Sequence, residues 1–487
     1  MIQLLRNPEF IHFKINIPHF NWASYRKDDI LWIIINSLTG IHSPLPINDN
    51  EPTPPRTKGH IMNSNLTQNH KPIITGIIAE YNPFHNGHAY HIEQARRLTH
   101  ADYIIVIMSG NFVQRGTPAI IDKYYRTRMA LQNGADAVFE LPVCYATGSA
   151  EYFAEGATAL LTALGADCVC FGSECGDISM IKQAASILLD EPVTFQQALK
   201  ESLKNGLSFP QAREMALSAY LQQTGSSEAQ TANLLSQPNN ILGIEYCKAI
   251  KKQNSHVVPY TITRQGHGYH DEEISNCLTA SASGIRKLIF NGEHKELICE
   301  QMPASAFSLL EEAYHKQYPV QTDDFSAMLG YRLLLQRDNG FVQFQDCSPE
   351  LENRIRNHLP DYCSFSQFAD CLHTKETTHA RINRCLLHIL LDMNTHTVED
   401  YRANGYVYYA RLLGFCKNST SLLTELNQRT TIPVLSSLSK AEQRLCSRGN
   451  TMLKQDFLAA NIYELAIHNR YHTDTVGEYR KLIIETP

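Results

Sequence analysis

From Ile74 onward, short runs of apolar residues alternate with segments of helical spacing, and this alternation limits the folds open to the chain more than any other feature. The runs are ITGIIA at 74–79, YIIVIM at 103–108, AVFEL at 137–141, DCVCFG at 167–172 and VVPYTI at 257–262. Between them, residues 88–98, 121–133, 150–164 and 240–252 space their apolar side chains as helices do. A strand that is apolar at every position has two faces to bury, which requires helices on both sides of a parallel sheet. Right-handed crossovers then give a Rossmann-like α/β domain, with its ligand at the carboxyl ends of the strands. The Gln-, Leu- and Ala-rich stretch 190–235 reads as a helical insert before the last strand.

Beyond about residue 295 the alternation fades. FSLLEEAYHKQ, FSAMLGYRLLLQ, ARINRCLLHILLDM and FLAANIYELAIHNR all have helical spacing. A chain of 487 residues is long for one domain. The expected division is a catalytic α/β domain over 73–295 and a mainly α-helical domain over 296–487. Residues 1–72 differ from both and end in the proline-rich stretch HSPLPINDNEPTPPRTKG. They read either as an appended segment and linker or as sequence upstream of a true start at Met62, and the second is favoured.

A net charge of −6 argues against a general polyanion binder but leaves room for a local basic face. Thirteen cysteines without paired spacing suit a reducing compartment. No apolar run approaches the ~18 residues that span a bilayer. The N-terminal residues lack the order of a signal peptide. A cytoplasmic protein with no membrane partner is expected.

The stretch EYNPFHNGHAYH, from Glu80 to His91, sets three histidines three residues apart where the first strand gives way to a helix expected to begin near His88. Asn-Pro and Asn-Gly are turn dipeptides, and Gly87 lets a ligand approach the backbone. The N–H groups and dipole at a helix start favour a phosphate, to which His85 and His88 could donate hydrogen bonds. A metal is the main rival, but no carboxylate completes the set and HExxH is absent. Ordinary surface histidines are the third reading. Far downstream, ASASGIRKLI places Ser281, Ser283 and Arg286 at another helix start.

His85, Asn86, Gly87 and His88, together with the Ser/Arg turn, resemble the two signatures of the HIGH superfamily of nucleotidyltransferases and class I aminoacyl-tRNA synthetases. The likeness then narrows. EYNPFHNGH, MSGNFVQRGTPAIIDKYYRTRMAL, FGSE, PNNILG and TRQGHGYHD, in that order, are similar to the bacterial tRNA(Met) cytidine acetate ligases. The resemblance implies an enzyme that activates acetate with ATP as acetyl-adenylate and acetylates N4 of the wobble cytidine of elongator tRNA(Met). Mg2+ is expected to accompany the ATP. A small-molecule adenylyltransferase of the same superfamily is the alternative within enzymes. A non-catalytic RNA-binding protein on a nucleotide fold is the alternative outside them.

By the same resemblance the ATP site comprises Ile78, Ala79, Glu80, Tyr81, Asn82, Pro83, Phe84, His85, Asn86, Gly87, His88, Ala89, Tyr90 and His91. Gly172, one of Asn239 and Asn240, Arg264, Ser281, Ser283 and Arg286 complete it. His85, His88 and Lys123 are the catalytic candidates, Lys123 as a phosphate contact beside Arg115 and Arg126. Asn239 and Asn240 also sit where a helix N-cap is expected. Tyr81, Asn82 and Phe84 are candidates for enclosing acetate, while His267, His270 and Asp271 divide between a substrate role and a loop role. In the helical half, Lys375, Arg381 and Arg384, with His388, form a basic stripe opposite the apolar stripe of Ile382, Cys385, Leu386, Ile389 and Leu390, as tRNA phosphates would require. The aromatic residues of GYVYYARLLGF read as base-stacking or as core.

Overall fold

A computed structural model describes residues 71–487, apart from 224, 226–233, 265–280, 293–294, 474–476, 481 and 487. Met62, His267, His270 and Asp271 lie outside the described residues. The chain order begins with β1 (Ile74–Ala79), α1 (Asn86–Thr99), β2 (Tyr103–Ser109), a hairpin of β3 (Phe112–Val113) and β4 (Thr117–Pro118), α2 (Lys123–Leu131) and β5 (Ala137–Leu141). It continues through α3 (Ala150–Ala163), β6 (Cys168–Ser173), α4 (Pro238–Lys252), β7 (Val258–Thr263) and α5 (Ala282–Asn291). All five apolar runs are strands, and helices Val193–Lys204 and Phe209–Gln223 fill the expected insert.

The pleat explains why these runs carry no polar alternation. Ile104, Val106 and Met108 of β2 enter one apolar cluster, while Ile105 and Ile107 enter the other. Each fully buried aliphatic side chain contributes about 1.5–3 kcal/mol, so a strand buried on both faces is strongly specified. β5, β2, β1, β6 and β7 pair in that order and all run parallel. β1 leads to β2 on one side and, later, to β6 on the other. The order therefore reverses between β1 and β6, which is where an open α/β sheet holds its ligand.

The C-terminal half supplies many helices, among them α6 (His379–Leu390). Within this mainly helical half lie three strands as well: β8 (Ala410–Cys416), β9 (Val434–Leu435) and, after α7 (Ser447–Tyr471), β10 (Ile483–Glu485). β8 lies antiparallel against β5, with Val138 opposite Gly414, and both β9 and β10 pair with β8 in parallel. The stretch ARLLGFC carries an arginine within its apolar run. Arg411 is nevertheless buried, with its charge met by Glu140 and Glu478. The aromatic residues just before it divide accordingly. Tyr409 is core, with its hydroxyl on Asp456, while Tyr406 and Tyr408 are half-buried against the same core. Among the described residues no helix is long and apolar enough to cross a membrane.

Candidate active site

At the carboxyl end of β1 the chain turns sharply. Tyr81 takes a left-handed backbone, φ 50°, and the Asn82–Pro83 peptide is cis. Asn82 fixes the turn: its Oδ1 accepts the Ile120 N–H at 2.8 Å, and its carbonyl accepts from the Arg286 guanidinium at 2.6 Å. The helix begins two residues earlier than expected, at Asn86, with His85 as its N-cap. His85 Nδ1 accepts from the Gly87 N–H at 3.1 Å, and His88 Nδ1 accepts from the His85 N–H at 3.2 Å. This reciprocal pair is a capping box built from two histidines. Because both Nδ1 atoms act as acceptors, the proton of each neutral ring sits on Nε2. The two rings stack with centroids 3.7 Å apart.

Both rings line a cavity of about 240 Å3. Burial, reinforced by Arg264 and Arg286, pushes the His85 imidazole down to about 3. Burial also holds His88 well below the usual range, with His85 and Arg264 adding to the effect. His91 is pushed down to about 4, again chiefly by burial. The site thus presents neutral imidazole donors framed by permanent guanidinium cations. The histidines bind fewer protons folded than unfolded, where their pKa is near 6.5, so the stability they permit is complete above pH 6.5 and declines as the pH falls below it. The slope is up to about 1.4 kcal/mol per pH unit for each ring. Thermal midpoints measured between pH 7 and 5.5 should fall less for His91→Gln than for the parent. Parallel curves would mean that the ring is solvated.

Gly87 is required by close approach. A Cβ there would sit 2.9 Å from His85 Cε1. Gly87→Ala should displace the His85 ring and lower whatever turnover this site supports by about 10-fold or more, with folding intact, because a misplaced donor loses most of its effect.

Opposite the histidines, Ser281 caps α5, its Oγ accepting from the Gly284 N–H at 3.2 Å. Arg286 donates to Ser283 Oγ at 3.1 Å, which ties the second signature to the first through Asn82. Arg264, just past β7, donates to Asn239 Oδ1 at 3.2 Å. Ile78, Ala79, Glu80, Tyr81, Asn82, Gly172, Asn239, Arg264, Ser281, Ser283 and Arg286 all border the same cavity as the three histidines. Tyr81 Oη and His91 Nε2 are buried there without a hydrogen-bond partner among the described residues, as expected of groups that await a ligand.

Other expected residues stand behind the wall. Phe84 is core, and Asn86 donates from its side chain to the Glu300 carbonyl at 2.8 Å. Pro83, Gly87, Ala89 and Tyr90 support the loop and helix without bordering the cavity. Asn239 and Asn240 occupy the first turn of α4 rather than its cap, which is Gln237. Asn240 is buried, its Oδ1 accepting from the Glu174 and Cys175 N–H groups at 3.0 and 3.1 Å, so of the two only Asn239 faces the cavity. Glu174, which the sequence reading passed over, accepts from the N–H groups of Asn239 and Asn240 at 3.3 and 2.8 Å. The aromatic flank of Phe153, Phe171 and Tyr246 was missed too, since each reads as ordinary core in the sequence.

Lys123 is not in this cavity. It is fully buried, with Nζ 2.8 Å from Glu140 and 2.8 Å from Glu478. Arg126 is equally buried and donates to the carbonyls of Ile121, Glu80, Ser109 and Gly110. Their three-residue spacing directs both inward, where a buried cation persists only with partners. In α6, Lys375 just upstream and Arg381 are exposed as expected. Arg384 is held by Asp346 in a two-pronged pair at 2.8 and 3.0 Å. His388 is buried against the carbonyls of Gln345 and Thr147, so it leaves the basic stripe.

A parallel sheet with a doubled histidine cap at its switch point and a Ser/Arg turn facing it defines a class, the HIGH nucleotidyl transferases. The family model described as HIGH Nucleotidyl Transferase matches residues 73–477. Within that class the chain belongs to the tRNA(Met) cytidine acetate ligase family. It is 40% identical over 398 residues to the tRNA(Met) cytidine acetate ligase of Thermoanaerobacter sp. (strain X514), covering 81% of this chain and 96% of that protein. The enzyme of the same name from Clostridium perfringens (strain SM101 / Type A) is 39% identical over 395 residues, or 80% of this chain and 94% of that protein. The crystal structure of Thermotoga maritima TmcAL bound with alpha-thio ATP matches with a TM-score of 0.77 and 32% identity, over 85% of this chain and 100% of that chain.

Proposed function

We propose that this chain is an ATP-dependent ligase that acetylates N4 of the wobble cytidine of elongator tRNA(Met) through acetyl-adenylate. One observation carries the reading: the two capping imidazoles and the Arg264–Arg286 pair face each other across one cavity at the sheet's switch point. In the first step an acetate oxygen attacks the α-phosphorus and pyrophosphate leaves. The Nε2–H groups of His85 and His88 donate to oxygens on which charge develops, and the guanidinium groups of Arg264 and Arg286 hold the departing diphosphate. No protein nucleophile is needed. Tyr81 Oη, a buried hydroxyl without a partner among the described residues, is assigned to the acetate carboxylate, with Asn82 shaping the wall beside it. Mg2+ would travel with the triphosphate, and Glu80 is the one carboxylate among the described residues bordering the cavity.

In the second step the cytosine amine attacks the acetyl carbonyl and AMP departs. The division of labour assigns the nucleotide steps to residues 73–295 and tRNA contact to 296–487, where Lys375 and Arg381 are the exposed members of the basic stripe and Arg384 braces α6 through Asp346. The test is incubation with labelled acetate, ATP and bulk bacterial tRNA. Label in the elongator tRNA(Met) fraction is expected. Adenylylation of a small metabolite with unlabelled tRNA would establish the adenylyltransferase reading instead.

A further inference from the structure

A second cavity, of about 580 Å3, adjoins the first. The two share Arg115 and Arg286 as walls. Arg115 stands at the tip of the β3–β4 hairpin, and the next residue fixes where that tip rests. Gly116 has φ +72°, and a Cβ there would lie 2.2 Å from the backbone nitrogen of Arg384. The hairpin is therefore seated directly on α6, and the space beside it is bounded by the nucleotide site on one side and by the basic helix on the other.

The lining suits a base better than an anion. Pro118 and Val320 provide apolar surface, while Asn383 and Asp323 provide hydrogen-bonding edges. Asp323 is the one carboxylate among the described residues that border this cavity. It accepts the Ser366 N–H at 2.8 Å and the Ser366 hydroxyl at 2.6 Å. Burial works against its charge, but these hydrogen bonds outweigh it and hold the carboxyl below its usual range. An anchored, ionised carboxylate repels pyrophosphate, whereas it accepts a hydrogen bond from an exocyclic amine, the group that distinguishes cytosine from uracil. At the mouth, the exposed rings of His373 and His379 stack with centroids 3.9 Å apart and planes 6° from parallel, a platform for a neighbouring base.

We propose that this second cavity seats the acceptor cytosine, presenting its amine past the Arg115–Arg286 wall to the acetyl group made in the first cavity; the inference rests on the function proposed above. Reaction forms the bond from N4 to the acetyl carbon and breaks that carbon's bond to the AMP oxygen. AMP leaves with the electron pair, and one N4 proton passes to water. Asp323 and Asn383 recognise the base edge, and His379 supports the splayed strand.

The experiment compares Asp323→Asn, Asn383→Ala and His379→Ala with the parent in two assays: acetate-dependent exchange of pyrophosphate into ATP, which needs no RNA, and acetyl transfer to a tRNA(Met) transcript. All three should keep exchange within about twofold. Asp323→Asn and Asn383→Ala should lose about 10- to 100-fold in transfer, the range of one lost base-edge contact. His379→Ala, altered at an exposed ring, should raise the KM for tRNA with kcat little changed. Transfer equal to the parent in all three would overturn the proposal. So would an equal loss of exchange and transfer in folded variants, which would assign the cavity to pyrophosphate. A parent protein without exchange activity would instead sink the reading of the first cavity, and this inference with it.

Discussion

Replacing Glu478 with alanine is expected to destabilise the protein by about 3–5 kcal/mol, the usual loss when a buried ionic network keeps its cations and loses an anion. Glu478 lies 2.8 Å from Lys123 Nζ and also contacts the Arg411 guanidinium. Burial alone would raise its carboxyl, yet Lys123 and Arg411 prevail and hold it down at about 2. Without it, two buried cations share Glu140 alone. The loss reads directly as a lower urea midpoint. Because the carboxyl is depressed in the fold, its contribution is complete above the ordinary carboxylate range and disappears as the pH falls toward 2. A midpoint unchanged by Glu478→Ala would show that this network does not bear on folding.

His88→Ala should lower acetyl-adenylate formation by about 10²- to 10³-fold, the typical loss of one preorganised donor to developing charge. The ring does more than donate. It stacks on His85 at 3.7 Å, meets the edge of Tyr81 at 4.8 Å and accepts the His85 N–H. Its removal therefore loosens the neighbouring imidazole as well. Affinity for tRNA, measured by filter binding, should stay within about twofold, since no exposed cation of the helical half is altered. Loss of both activities together would refute the separation of nucleotide and RNA surfaces.

What the sequence disclosed follows from how local each feature is. β2 was legible because YIIVIM must be covered on both faces whatever surrounds it. The histidine cap was legible because all its parts lie within four residues. Lys123 was misplaced because one of the two carboxylates that neutralise it, Glu478, is 355 residues away. A separation of 67 residues hid β8 in the same way, since its arginine looks like a surface charge until that carboxylate is in place. His388 falls on the basic face by helical spacing, but α6 is covered there by the backbone near Thr147 and Gln345, and the buried ring packs against those carbonyls. Asn239 and Asn240 became distinguishable only once Glu174 was seen beneath them.

The Lys123–Glu478 contact also orders events during synthesis. Every residue assigned to the proposed nucleotide leaves the ribosome well before Glu478, the anion that completes the buried network of Lys123, Glu140 and Arg411. A nascent chain that has made only the first half carries an uncovered β5 edge and a half-neutralised ammonium, both open to mispairing or chaperones. The first half alone thus lacks both the strand that covers β5 and the carboxylate that completes the charge pairing around Lys123.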